Sequence, residues 1–378
     1  MTEVVIAGFA RSPFTPARKG ALAKVRPDDL VAQVIKGLVA KTGVAPDEIE
    51  DLIVGCAFPE GEQGLNMARM VVFLAGLPIP VAGTTVNRFC GSSMQSIHMA
   101  AGAIRMGAGE AFICAGVESM TRIPMGGFNP APNPKLAAEF PQAYISMGIT
   151  AENLAKKYDI DRKRQQEFAV QSHVKAAAAQ AAGKFADEIV PIVEGNARIE
   201  QDGSIRADTT QEVLDGLQPA FDQNGTVTAG TSSPLTDGAA AVLVCSEAYA
   251  DRHKLNKLAR IRAISVAGVP PEIMGIGPVA ATEKVLKRGG LTLDQIDLIE
   301  INEAFAAQSE ACMVAAKMPR EKINLDGGAI ALGHPLGASG ARITGKAAQL
   351  LKREGKRYGL ATMCIGGGQG IATLLEAC

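Results

Sequence analysis

The sequence predicts an α/β protein made of two similar halves with mixed, largely parallel sheets. Three features carry this: a long-range internal repeat, strands alternating with helices in both halves, and a middle stretch of different composition. The segment from Val31, VAQVIKGLVAKTGVAPDEIEDLIVGCAF, resembles that from Val279, VAATEKVLKRGGLTLDQIDLIEINEAF. Each copy reads as an amphipathic helix, a turn with an acidic helix start, and an apolar strand at 51–55 or 297–302. At roughly 150 residues per domain, 378 residues suggest two or three domains.

A second matching block follows each copy. In the first half a strand at 81–86 leads through Asn87 and Cys90 into a helix near 93–106, then a strand at 110–116. In the second half, 323–325 leads through GGAIALGHPLGASG into a helix near 341–353, a strand at 358–364, and a last strand in IATLLEA. Between the halves, PMGGFNPAPNP, an Ala-rich helical stretch near 162–182 and a turn-rich region around 195–235 read as an insertion, a natural lid or ligand platform. The expected division is 1–117, an inserted domain 118–248, and 249–378.

Charged residues are 20% of the chain and the net charge is -1, so no basic face advertises nucleic-acid binding. No run of about 18 apolar residues suggests a membrane span, and the first fourteen residues lack a signal-peptide core. The seven cysteines are widely spaced with no CxxC pair, against a zinc ribbon or a disulfide framework. A reducing cytoplasm is the expected location.

Cys90, in VNRFCGSSMQSIHMAAGAI, stands where an apolar strand turns into a helix. A helix N-terminus lowers a thiol pKa, so Cys90 is the expected nucleophile rather than a merely buried thiol. His334, in the Gly-rich loop of the other half and fixed by Pro335, is the expected base; His98, His173 and His253 sit in helical or charged contexts. Cys364 precedes IGGGQG, whose glycines let main-chain N–H groups face a cavity as an oxyanion hole. Asn302 and Glu303 end an apolar strand, where sites in such sheets collect. GGGQG mimics a dinucleotide loop but has no helix after it. GARITGKA has phosphate-loop spacing, yet Ala347 replaces the magnesium-binding Ser or Thr and the segment reads as helix.

VNRFCGSSMQ, then NEAFAAQ with GGAIALGHPLGASGARI, then TMCIGGGQG, together and in this order, closely resemble the thiolase family over the whole chain. The resemblance implies duplicated βαβαβαββ halves in a five-layered αβαβα arrangement with an inserted loop domain. It implies that Cys90 carries the acyl group, His334 activates it and helps bind the thioester oxygen, and Asn302 holds a water in the same oxyanion hole. Cys364 becomes the acid/base at the α-carbon of acetyl-CoA, and the N–H groups of Cys90 and Gly366 a second oxyanion hole. Ser233 and Arg206 match family positions that contact pantetheine and nucleotide. Coenzyme A is then a co-substrate, with acyl-CoA, and no cofactor is held tightly. Family members are dimers or tetramers, and a multifunctional β-oxidation subunit is a conceivable partner. Ser146, where many acetoacetyl-CoA thiolases carry His, and NRFCGSSM tilt the expectation to degradative 3-ketoacyl-CoA thiolysis, with short-chain acetyl-CoA acetyltransferase as the alternative. A non-catalytic acyl-CoA-binding relative would be expected to have lost one of the four catalytic side chains.

Overall fold

The computed structural model describes residues 2–378. The first half comprises β1 (Val4–Arg11), α1 (Pro27–Thr42), β2 (Asp51–Gly55), α2 (Met67–Leu74), β3 (Ala82–Val86), α3 (Ser92–Arg105) and β4 (Ala111–Ser119). The intervening stretch contributes α4 (Met147–Lys157) and α5 (Arg162–Ala181). Then come β5 (Thr236–Ser246), β6 (Ala259–Gly268), α6 (Gly277–Gly289), β7 (Leu298–Ile301), α7 (Ala306–Ala316), α8 (Leu336–Arg353), β8 (Tyr358–Ile365) and β9 (Gln369–Glu376).

The strand order shows the duplication. The first sheet runs β3-β2-β4-β5-β1 and the second β7-β8-β9-β6. In each, the strands toward the outer edge are parallel (β2 with β3 and β4; β7 with β8), and the last-formed strand returns antiparallel between its neighbours. A short antiparallel ladder, Val5 with Arg260 and Ile6 with Ala259, joins the sheets at β1 and β6. The counterpart of β3 is reduced to one parallel bridge, Ile299 with Ile323. The strand expected at 323–325 stops there because Asn324 turns to φ +46 and its amide bonds both main-chain groups of Ile301 at 2.9 Å.

Helices α1 and α2 cover the outer face of the first sheet; α6 covers that of the second, and α7 shares one apolar cluster with β7 and β8. Between the sheets α3 packs on α8, completing five layers, αβαβα. Nearly all of α8 is buried, so it must be slim: a Cβ on Gly340 would lie 2.3 Å from the main-chain nitrogen of Met94. Apolar burial drives the assembly. All eleven residues of β5 are buried, and each Val or Leu among them contributes about 1.5–3 kcal/mol.

Strand β5, which the sequence division had put inside 118–248, lies in the centre of the first sheet. Its run TDGAAAVLVCS is a continuous apolar strand of the kind a sheet buried on both faces requires. The stretch before it is docked by buried charges. Arg11 of β1 meets Glu188 at 2.7 Å and Asp202 at 2.7 Å, and Lys346 of α8 meets Glu188 and Asp326 at 2.8 Å each. Lys346 is the lysine of GARITGKA, now on a helix and fully committed to carboxylates. GGGQG forms the β8–β9 turn, with Gly367 and Gly368 at positive φ.

Candidate active site

Cys90 sits in a single helical turn between β3 and α3. The residue before it, Phe89, holds φ +44, a conformation costly for a bulky side chain. Asn87 supports it: its Oδ1 accepts the Phe89 N–H at 2.8 Å and its Nδ2 donates to the Ala57 carbonyl at 3.0 Å. The thiol is 3% exposed. Helix-terminal placement alone would lower its pKa, but the net shift is the reverse. Burial pushes it up to about 12 and Glu118 adds to the rise, while the N–H groups of Gly366 and Cys90 itself oppose it. Water exclusion outweighs two donors here. The resting sulfur is a neutral thiol that needs a base to act as a nucleophile.

His334, the expected base, is held in one tautomer. His334 lies just before α8, its main-chain N–H donating to Thr236 Oγ1 at 3.1 Å. Its Nδ1 is 2.6 Å from Ser339 Oγ, and the Ser339 hydroxyl donates to the Pro335 carbonyl at 3.0 Å. With its hydrogen assigned to that carbonyl, Ser339 accepts, which assigns the imidazole proton to Nδ1 and the lone pair to Nε2. Burial, with Arg342 adding repulsion, pulls the His334 pKa down to about 3, so the ring is neutral. Nε2 stands 3.3 Å from Asn302 Nδ2.

Asn302 directly follows β7, fully buried, its N–H bonded to the Thr362 carbonyl at 3.1 Å. Its Oδ1 is buried without a partner in the protein. Cys364, on β8 opposite Gly370, is 1% exposed. Burial pushes its thiol pKa well up, and the charge of a nearby Cys90 thiolate would push it further. Gly366 follows at once, its N–H directed at Cys90.

One cavity of about 160 Å³ joins the two thiols and the imidazole, with Asn302 and Gly366 behind its wall. Cys90, His334 and Cys364 line it, together with Ser146, Ser233, Met120, Met125, Met147, Phe221 and Phe305. Ser233 is on its wall, with its hydroxyl donating to the Ala304 carbonyl at 3.1 Å. Arg206 is not. It is exposed, and its main-chain N–H donates to His173 Nδ1 at 3.1 Å. His98 is buried against Thr373, and His253 pairs with Glu48 at the surface. Glu303 braces rather than lines the site: it binds Ser172, Asn324 and the Ile330 N–H.

Sequence reasoning missed Ser339 and Thr236, which orient His334, and Glu118, whose carboxylate ties strand ends around the site. Glu118 ends an apolar strand just as Asn302 does, and that signal could have found it. Nothing in the sequence marks Ser339.

The fold agrees with that of known proteins. The thiolase N-terminal domain model matches residues 4–248 and the thiolase C-terminal domain model residues 255–377. A 3-ketoacyl-CoA thiolase of Bacillus subtilis is 48% identical over 391 residues, covering 100% of both chains. One of Aeromonas hydrophila is 49% identical over 390 residues, again covering 100% of both. Among solved structures, the Bacillus anthracis acetyl-CoA acetyltransferase superposes with TM-score 0.92 at 41% identity. Human mitochondrial 3-ketoacyl-CoA thiolase does so with TM-score 0.92 at 37% identity. Each alignment covers 100% of this chain and 99% of the other. With two matching domain models and full-length relatives at this identity, the chain belongs to the thiolase family of acyl-transferring enzymes.

Proposed function

We propose that the chain cleaves 3-ketoacyl-CoA with coenzyme A, yielding acetyl-CoA and an acyl-CoA two carbons shorter, and runs the reverse condensation. The observation that carries this is two thiols and one neutral imidazole on a single apolar cavity, with main-chain N–H groups at the nucleophile.

His334 Nε2 takes the Cys90 proton as the sulfur attacks the 3-keto carbon. The tetrahedral oxyanion collapses, the C2–C3 bond breaks, and acetyl-CoA leaves as its enolate. The Cys364 thiol protonates that enolate at carbon. The high pKa that burial gives Cys364 suits a group exchanging protons with carbon, because it starts as an acid that stays protonated. Cys364, now a thiolate, deprotonates incoming CoA; the CoA sulfur displaces the acyl group from Cys90, and His334 returns its proton to the departing sulfur. Donors at each oxygen matter because charge develops there. Cys90 and Gly366 supply one pair of N–H groups. His334, once protonated at Nε2, supplies the other site with a water bound to Asn302, whose unpartnered amide oxygen suits such a role.

Ser233 on the cavity wall is assigned to pantetheine, and Arg206, exposed and outside the cavity, to the distal nucleotide. The physiological role proposed is fatty-acid β-oxidation in the cytoplasm, supported by Ser146 on the cavity wall and by relatives named for 3-ketoacyl-CoA. We assign the working form as a homodimer or a tetramer of such dimers. The support is the open edge of β3, beside which Leu65 (90% exposed), Ile79 (74%) and Phe73 (51%) expose apolar surface. A β-oxidation multifunctional subunit would be a further partner. The test is brief incubation with acetyl-CoA, acid quench and peptide mass spectrometry. An acetyl group on Cys90 is expected; full labelling that persists in Cys90→Ala would overturn the assignment.

A further inference from the structure

Among the buried carboxylates that the mechanism does not use, Glu118 stands nearest the reacting thiol's supports. Glu118, next to last in β4, is 1% exposed, and among the described residues no Lys, Arg or His pairs with it. Four N–H donors, with the Cys56 thiol at 3.7 Å, replace a counter-charge. Oε2 accepts the N–H groups of Ala57 at 2.8 Å and Gly337 at 2.9 Å. Oε1 accepts Gln63 Nε2 at 2.8 Å and the Phe58 N–H at 3.3 Å. A carboxylate without a cation tolerates burial only where such donors stand in for water. Burial raises the Glu118 pKa, and the four donors oppose that rise by favouring the ionised form.

These bonds lead to both reacting groups. On one side, Ala57 accepts from Asn87 Nδ2 at 3.0 Å, and Asn87 Oδ1 holds the Phe89 N–H next to Cys90 at 2.8 Å. Phe58 adds an aromatic contact with Phe89, ring centroids 6.1 Å apart. On the other side, Gly337 is in the first turn of α8, three residues beyond His334. A Cβ on Gly337 would lie 2.6 Å from the Val117 carbonyl and 2.8 Å from Cys56 Cα, so this helix start is seated on the ends of β2 and β4. One side chain thus ties the segment that supports the thiol in one half to the helix start that follows the imidazole in the other.

We propose that Glu118 is a positioning residue that fixes the Cys90 sulfur relative to His334 Nε2. Neither group is touched by its oxygens; it acts through the Asn87 and Gly337 segments. A shift on the order of 1 Å in such a pair costs about 100-fold in rate without altering substrate binding. The charge also opposes thiolate formation at Cys90. Its removal therefore has two opposite effects, easier ionisation of the thiol and poorer delivery of its proton to the base.

The inference rests on the proposed roles of Cys90 and His334. The experiment therefore begins with wild-type enzyme and acetyl-CoA: no acetyl on Cys90 there means that the underlying assignment has failed, not this one. In Glu118→Gln, the amide nitrogen faces main-chain donors. With folding checked by circular dichroism, kcat should fall about 100-fold, with KM for 3-ketoacyl-CoA and CoA within about threefold. Iodoacetamide should alkylate Cys90 faster at pH 8, while acetyl-CoA acylates it more slowly. A folded variant with kcat within threefold of wild type would overturn the proposal, as would a defect confined to KM or alkylation slowed along with acylation. If Glu118→Gln does not fold, exposed Asn87 supplies the second test. Asn87→Ala should lower kcat about tenfold at constant KM, and unchanged kcat would overturn the link.

Discussion

Replacing Ser339 with Ala tests how the base is prepared. The hydroxyl makes two buried hydrogen bonds, 2.6 Å to His334 Nδ1 and 3.0 Å to the Pro335 carbonyl, and lies outside the cavity lining. Its loss leaves the Nδ1–H buried without an acceptor, at a cost of about 1–3 kcal/mol. The ring can escape by moving its proton to Nε2. That turns a donor toward the Asn302 amide 3.3 Å away and removes the lone pair proposed to accept the Cys90 proton. Either way the active form of the base loses about 1–3 kcal/mol, a reduction in kcat of about 5- to 150-fold, with KM essentially unchanged. Steady-state thiolysis of acetoacetyl-CoA, followed by loss of its enolate absorbance, gives both constants. A folded Ser339→Ala enzyme retaining more than half the wild-type kcat would refute the tautomer assignment.

Two further outcomes follow from burial and from pocket shape. His98 and His334 are buried with pKa values pulled down to about 3, so the unfolded chain binds their protons first. Stability is complete above about pH 6.5 and is lost toward pH 3 at about 1.4 kcal/mol per pH unit per histidine. Urea unfolding of His98→Gln between pH 7 and 5 should show a correspondingly shallower loss, and an unchanged slope would contradict it. Met120, Met125 and Met147 line the cavity, and each methylene buried there contributes about 0.8 kcal/mol, so kcat/KM should rise several-fold from acetoacetyl-CoA to 3-ketohexanoyl-CoA. A steep fall would mean that these flexible thioethers close the pocket and would favour the short-chain acetyltransferase reading.

Much of the fold was legible because the duplication leaves a periodic record: β2 and β7 lie where the repeated helix–turn–strand pattern puts them. What failed was non-local. The pattern at 323–325 looked like a strand, but Asn324 substitutes its side chain for the ladder partners, and no local periodicity reveals that. Strand β5 read as part of the insertion because sheet membership depends on partners β1 and β4, more than 100 residues away. At the site, Cys90, His334 and Cys364 could be picked out by residue type beside glycine-rich turns. The sign of the Cys90 shift could not. A helix terminus is visible in sequence, whereas the water exclusion that outweighs it comes from packing between the two halves. Ser339 and Glu118 act through single hydrogen bonds to distant chain segments, which a lone sequence does not display.

The central claim is that the two cysteines divide the reaction, Cys90 carrying the acyl group and Cys364 moving the α-proton. One measurement addresses it directly: Cys364→Ala, with folding verified, assayed for both half-reactions. Acetyl transfer from acetyl-CoA to Cys90 is read by mass spectrometry, and carbon–carbon bond formation and cleavage by acetoacetyl-CoA turnover. Acetylation of Cys90 should partly survive while bond formation and cleavage are abolished, because the group assigned to move the α-proton is gone. Equal loss of both activities, or acetoacetyl-CoA turnover that persists without Cys364, would contradict it.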